Sequence, residues 1–239
     1  MIQFFAPDIS TNNILPESDS QHCVRVLRMK EGDTLEVIDG KGNRYTCRLT
    51  IAHAKRAEVE IIECQSIPLS WNNNITIAIA PTKHLDRMEW MVEKLTEIGV
   101  NRIVPLLCRY SERKEIKVER LEKIAISAMK QSLKTVLPEI TEMTPIKNFI
   151  ESEKSAQRFI AYCDEFIPRK LLCNEYEANK DVTILIGPEG DFSKEEIKLA
   201  LSSDYAPVSL GDNRLRTETA AVVACDTFQI LNQLKNSSI

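Results

Sequence analysis

With 239 residues, 43% of them hydrophobic and 28% charged, the chain can bury one large core or two modest ones and is too evenly mixed to be disordered or fibrous. A formal net charge of −4 excludes an indiscriminate nucleic-acid binder, because that affinity scales with the phosphates met by Lys and Arg. The seven cysteines are scattered singly, without a C-x-x-C pair and with only three histidines, which predicts neither metal nor disulfide framework but reduced, mostly buried thiols. No run of about twenty apolar residues could span a bilayer, and "MIQFFAPDIS" lacks the basic and apolar regions of a secretory signal, so a cytoplasmic, membrane-free protein is expected.

From Phe4 to Ile62 the pattern has a short period. Leu35 and Val37, then Tyr45, Cys47, Leu49 and Ile51, then Val59 and Ile61 recur at every second position, with "DGKGN" between the first two runs. This predicts hairpin strands in a small antiparallel barrel. The "GKG" lacks the third glycine and the following helix of a dinucleotide fingerprint, so it is expected to be a turn. Between His22 and Arg56 lie eight basic residues, Arg25 and Arg28 among them, against four acidic ones. Such a local excess on an acidic chain suits a nucleic-acid partner met at one face, although a solvated strand surface would look the same. The polar, period-free "IPLSWNNN" at 67–74 separates a domain over 1–70 from one over 73–239.

Beyond that linker the rhythm is α/β. "ITIAIA" (75–80), "RIVPLL" (102–107), "RFIAYC" (158–163), "VTILIG" (182–187) and "PVSLG" (207–211) are candidate strands separated by helix-length text, the pattern of a parallel sheet with helices on its faces. Leu85, Met88, Met91, Val92, Leu95 and Ile98 form a helical core stripe that stops at Gly99 as a C-cap. Leu121, Ile124, Ala125, Ala128 and Met129 repeat the period. A last helix is expected from Thr217 as N-cap with Glu218 in its first turn. Its face carrying Val222, Val223, Phe228 and Ile230 calls for packing partners, in its own domain or in a second copy.

Two loops carry the chemistry. In "LIGPEGDFSKEEI" (185–197) a strand buried on both faces ends in a glycine loop, and Ser193 with Glu196 has capping-box spacing for the helix that follows. In "LGDNRLRTETAAVVA" (210–224) a short strand again leads through a glycine and a polar loop into a helix. Loops at the carboxyl ends of strands are where open α/β sheets bind ligands, and glycines there let the backbone approach one. Either loop alone could be a tight turn; together, with two Arg, two Thr and a Glu in "RLRTETAA", they have more polar capacity than a turn needs.

These segments, with "HCVRVLRMKEGD", "DGKGNRY", "RMEWMVEKLTEIGV", "IVPLLCRYSER" and "AISAMKQSL" in order over nearly the whole chain, resemble the bacterial small-subunit (16S) ribosomal RNA uridine N3-methyltransferases of the SPOUT class. The resemblance implies a PUA-like RNA-binding β-barrel followed by a SPOUT α/β domain with a carboxyl-terminal trefoil knot, and a homodimer. It also implies S-adenosylmethionine as cofactor, held by Ile186, Gly187, Pro188, Glu189, Gly190, Leu210, Gly211, Leu215 and Thr217. Its partner would be 16S ribosomal RNA or the small ribosomal subunit, gripped through Arg25 and Arg28. Arg214 and Arg216 are the natural candidates to stabilise the charge left by loss of the uracil N3 proton, and Arg216, beside the last helix start, is the candidate catalytic residue. A silent RNA-binding protein of the same fold, or a methyltransferase for another base, would share these features. The chain departs from the family at Asp191, where Gly is common, and at Lys130 to Lys134, where Glu-Gln-Ser/Cys-Gly-Arg is common.

Overall fold

The computed structural model describes residues 2–163 and 168–237, which group into two compact units. The first comprises 1–70 together with 126–137; the second comprises 71–125 and 138–239. Ile126–Leu137, part of the second domain by sequence order, thus clusters with the first unit.

In the first unit, β1 (Gln3–Phe5), β2 (Thr34–Ile38), β3 (Asn43–Ile51) and β4 (Glu58–Ser66) form one sheet in chain order. β2, β3 and β4 are antiparallel, as expected. β1 corrects the all-antiparallel expectation, because it runs parallel to β2. A parallel neighbour needs a long crossover, and the segment between them supplies one, containing helix α1 (Glu17–Gln21) and a π-helical turn, His22–Val26. Phe4, Ile9, Leu15, Leu35, Val37, Tyr45, Cys47, Leu49 and Val59 form the core. Ile51 breaks the alternation and is exposed, because the β3–β4 register shifts between Leu49 and Ile51.

The "DGKGN" turn is a hairpin, held by Asp39. Its carboxylate accepts hydrogen bonds from the Lys41 N–H (2.8 Å), the Asn43 N–H (3.1 Å), the Asn43 side-chain amide (2.7 Å) and the Tyr45 hydroxyl (3.4 Å). The Gly42 N–H donates to the Thr135 carbonyl (3.0 Å) and the Leu137 N–H to the Gly40 carbonyl (2.9 Å), which attaches 126–137 to this turn. Lys130, an acid in the common family pattern, pairs with the buried Asp19 carboxylate at 2.7 Å.

The second unit is an eight-stranded sheet with β5 (Ile75–Ile79), β6 (Arg102–Leu107), β7 (Glu139–Ile140), β8 (Thr144–Pro145), β9 (Gln157–Ala161), β10 (Lys170–Leu171), β11 (Val182–Ile186) and β12 (Ala206–Ser209). The order is β10-β12-β9-β11-β5-β6-β7, with β8 beside β6, and every pairing is parallel. Both β5 and β11 are buried at every residue, as continuous apolar runs in a covered parallel sheet should be.

Helices cover both faces. α4 (Ile146–Ser152) and α6 (Lys194–Ser202) pack over Ala78, Leu106, Ile160 and Leu185. α2 (Leu85–Ile98) and α7 (Thr217–Asn236) pack on each other, and α7 lies on β5 and β11. α3 (Val118–Gln131), whose residues from Ile126 onward belong to the first unit, buries Leu121, Ala125, Ala128 and Met129, as its period predicts, and short α5 (Leu172–Glu175) leads toward β11. Gly99 ends α2 at φ +121°, and a Cβ there would lie 2.6 Å from the Trp71 ring. The Gln229 amide of α7 donates to the Gly99 carbonyl at 2.6 Å, so only glycine suits this junction.

Candidate active site

The sheet order puts β9 between β11 and β12, so three adjacent strands end side by side at their carboxyl edge. The loops leaving β11 and β12 bend over that edge and enclose a cavity of about 840 Å³. Ile186, Gly187, Pro188, Glu189 and Gly190 line it from one side, and Leu210, Gly211, Leu215 and Thr217 from the other. Arg214 and Arg216 also line it, so both glycine loops meet at one concavity.

Local sequence explains how each wall is held. The Ser193 hydroxyl accepts from the Glu196 N–H (3.3 Å) while the Glu196 carboxylate accepts from the Ser193 N–H (2.8 Å), the expected capping box. Asp191 has φ +64°, a left-handed conformation costly for most side chains. Its carboxylate offsets that cost by accepting from its neighbour Phe192 (2.8 Å) and from the Cys163 N–H (2.8 Å), joining the exits of β11 and β9. Gly211 has φ +121°, and the position a Cβ would take is open space.

The start of the last helix differs from expectation. Thr217 is its first helical residue rather than its cap; Arg216 occupies the cap position in extended conformation, with no side-chain capping bond. Its carbonyl accepts from the Ala220 N–H at 2.8 Å, which fixes the backbone and leaves the exposed guanidinium free to point elsewhere. Neither nearby acid pairs with it. Glu189 accepts from the Lys83 N–H (3.0 Å), and the buried Glu218 carboxylate faces the Arg87 guanidinium. Phe228 is fully buried against Phe159 and Tyr176, so that part of the last helix face is satisfied within its own unit; Ile230 is exposed.

Three parts of the wall were not expected from the sequence: Ala161 to Cys163, Arg169, and Arg87. The β9 exit carries no glycine to mark it. Arg87 lies in the first turn of α2, between the apolar stripe positions Leu85 and Met88; a cation in a helix's first turn, where the dipole disfavours it, was the available signal.

In the other unit, Arg25 and Arg28 are exposed on and just after the π-helical turn, Arg28 with φ +57°. Within the basic segment Arg44 meets Glu36 (4.0 Å), Arg48 meets Glu60 (3.3 Å) and Arg56 meets Glu58 (3.4 Å). Among the described residues no ion pair engages Arg25 or Arg28, so the two lie in the uncompensated part of the segment. No group of three or more metal-ligating side chains occurs among the described residues, and no described helix is long and apolar enough to cross a membrane. Of the cysteines, Cys23, Cys47, Cys108 and Cys225 are buried and Cys64, Cys163 and Cys173 exposed, all as free thiols.

Residues 70–229 match the RNA methyltransferase domain family and residues 15–62 the RNA methyltransferase PUA domain family. The chain is 31% identical over 223 residues to ribosomal RNA small subunit methyltransferase E of Aquifex aeolicus, covering 87% of this chain and 90% of that one. Among solved structures, a probable rRNA-methyltransferase from Porphyromonas gingivalis superimposes with a TM-score of 0.94 at 48% identity, covering 98% of this chain and all of the other. Ribosomal RNA small subunit methyltransferase E from Neisseria gonorrhoeae, bound to S-adenosyl methionine, superimposes with a TM-score of 0.84 at 28% identity, covering 97% and 98%.

Proposed function

The chain belongs to the RNA methyltransferase family that includes the ribosomal RNA small subunit methyltransferases E, and on that premise we propose that it methylates N3 of a uridine in 16S ribosomal RNA, using S-adenosylmethionine. The observation that carries this reading is the meeting of both glycine loops at one cavity of about 840 Å³, within the usual range of small-molecule sites, about 300–1,000 Å³. The residues present fit that cofactor. Gly211 leaves open space where a side chain would stand, and the lining combines apolar Ile186, Val208 and Leu215 with backbone-rich turns. The relative from Neisseria gonorrhoeae was solved with this molecule bound.

Bound there, S-adenosylmethionine supplies a methyl group on a positively charged sulfur. The chain's own task is to orient the acceptor and stabilise its charge. For N3 of uracil to accept the methyl group, with the cofactor leaving as a neutral thioether, it must give its proton to water, which leaves negative charge shared by N3 and the ring oxygens. Arg216, permanently charged and fixed at its backbone by the α7 start, is the donor for that charge. Ile186 to Gly190 and Leu210 to Leu215 would hold the cofactor, and Thr217 completes the cavity wall.

Arg25 and Arg28 are assigned to the RNA grip through their exposed, uncompensated charge. The matched ranges 15–62 and 70–229 support a PUA-like unit over about 1–70 and a SPOUT unit over 73–239. A trefoil knot is supported by the strand order: from β9 the chain goes out to β10, returns to β11 on the far side of β9, then crosses again to β12. A homodimer is supported by the exposed Ile230 on α7 and Trp90 on α2. A ribosomal RNA substrate is met in the cytoplasm.

Nucleoside mass spectrometry of ribosomal RNA from cells with and without this gene tests the reading. 3-Methyluridine should vanish from small-subunit RNA without the gene and return with it; an unchanged profile would reject the assignment.

A further inference from the structure

A second cavity, of about 400 Å³, adjoins the first and shares Cys163 and Asp191 with it. Tyr110, Phe192, Ser193, Lys194 and Ile197 complete its lining. Tyr110 is the unusual member: a large aromatic, 52% exposed, on the turn that follows β6.

That exposure is built into the turn. The buried Ser111 hydroxyl accepts from the Cys108 N–H at 3.0 Å, and the Ser111 N–H donates back to the Cys108 carbonyl at 3.2 Å. Between them, the Arg109 N–H donates to the Glu196 carboxylate at 2.7 Å, the same carboxylate that caps α6. Tyr110 is therefore held at a fixed turn beside the glycine loop after β11. A Cβ on Gly190 would come within 3.3 Å of the Tyr110 Cβ, so glycine at 190 makes room for the aromatic.

A methyl acceptor must reach the cofactor's methyl group in line with the bond that breaks, so its subsite must open onto the cofactor cavity. The second cavity borders the first along Cys163 and Asp191, which line both. A base inside a helix cannot reach such a place and must be unstacked. What replaces lost stacking in proteins that hold unpaired bases is an aromatic face. Tyr110 offers one, and exposed Lys194, at the start of α6, offers a cation for the attached phosphate.

We propose that the second cavity receives the nucleotide to be methylated, unstacked from its RNA, with its base stacked on Tyr110. The inference rests on the first cavity being the cofactor site, and the experiment separates the two. S-adenosylmethionine binding by the unaltered protein is titrated first by calorimetry; absence of binding overturns the cofactor assignment and this inference with it. Tyr110→Ala and Tyr110→Phe are then assayed on small ribosomal subunits from cells lacking the gene. Tyr110→Ala should keep the cofactor affinity and melting temperature of the parent while kcat/KM for the subunit falls about tenfold or more, the worth of one base–aromatic stack. Tyr110→Phe, which keeps the ring, should stay within about twofold of the parent. Unchanged kcat/KM in Tyr110→Ala overturns the inference. So does loss of cofactor affinity or thermal stability in step with activity, which would make Tyr110 a wall of the first cavity.

Discussion

The Arg87 guanidinium lies 3.6 Å from the Glu218 carboxylate, at a point where Glu218 is nearly buried and Arg87 is 38% exposed. An acid two residues beyond Arg216 is thereby paired by a different helix, and no ion pair engages Arg216 among the described residues.

Arg216→Ala should therefore retain S-adenosylmethionine affinity and RNA affinity while single-turnover methylation drops by about 10²–10³, the usual cost of one lost transition-state donor. Arg216→Lys should recover only part, since an ammonium lacks the planar fork. A near-parental rate in Arg216→Ala would remove its catalytic role. Arg87→Ala provides the contrast: it strands the Glu218 carboxylate, so stability and cofactor affinity should fall together.

Gly211→Val and Gly187→Val should both abolish cofactor binding in calorimetry, by different routes. At Gly211 the added side chain enters open space and its cost is the φ of +121°. At Gly187 a Cβ would stand 3.1 Å from the Phe192 ring, which must shift to admit it, so both variants should melt earlier than the parent.

On the RNA side, Arg25→Ala with Arg28→Ala should weaken binding and reduce the slope of log K against log salt by about 0.7–0.9 per residue. Arg48→Ala is the control. Its guanidinium already meets Glu60 at 3.3 Å, so its removal should change the slope far less.

Leu133 holds φ +57° and is 54% exposed, where the resembled family commonly has glycine. A left-handed leucine costs roughly 1–2 kcal/mol, and little burial is lost with it. Leu133→Gly should raise the melting temperature or leave it unchanged, as read by thermal unfolding, with catalysis intact.

Acid sensitivity should follow two buried carboxyls. Burial alone would raise Asp39, but hydrogen bonds from the Asn43 side chain, the Lys41 and Asn43 N–H groups and the Tyr45 hydroxyl outweigh it and hold the group below its ordinary value. Burial likewise opposes Glu153, and Ser155, Arg102 and the Lys154 N–H overcome it. A folded-state value below the unfolded one gives stability that is complete above the unfolded value, about 4, and lost as pH falls through the folded one. Asp39→Asn and Glu153→Gln should each lower stability at pH 7 and flatten its decline below about pH 4, measured by denaturant titration across pH.

Much of this was legible in the sequence because strands, glycines and caps leave local marks. "VTILIG" is a buried strand by composition alone, and Ser193 and Glu196 cap α6 as their spacing requires. The two glycine loops could be paired because both follow strands and both carry surplus polar groups. The third wall, Ala161 to Cys163, became part of the site only through the sheet order, and strand order is set by packing far apart in the chain. Thr217 looked like a cap by residue type, yet the chain enters α7 one residue earlier, so Arg216 takes the position without a capping bond. The parallel pairing of β1 was hidden for a similar reason: an apolar strand carries no mark of its direction.

The insertion of β11 between β9 and β5, and of β12 between β9 and β10, has a kinetic consequence. β11 pairs with β5 across more than a hundred residues, as with Ile184 opposite Ile77, and such distant pairings make folding slow. During synthesis the strands flanking the cavity cannot close until the last third of the chain has emerged. A chain stopped after β9 has neither glycine loop, and one stopped after β11 leaves the place of β12 open. The proposed cofactor site therefore needs the chain through β12 and the start of α7, and the time for cofactor binding to appear after dilution from denaturant measures how long the last two insertions take.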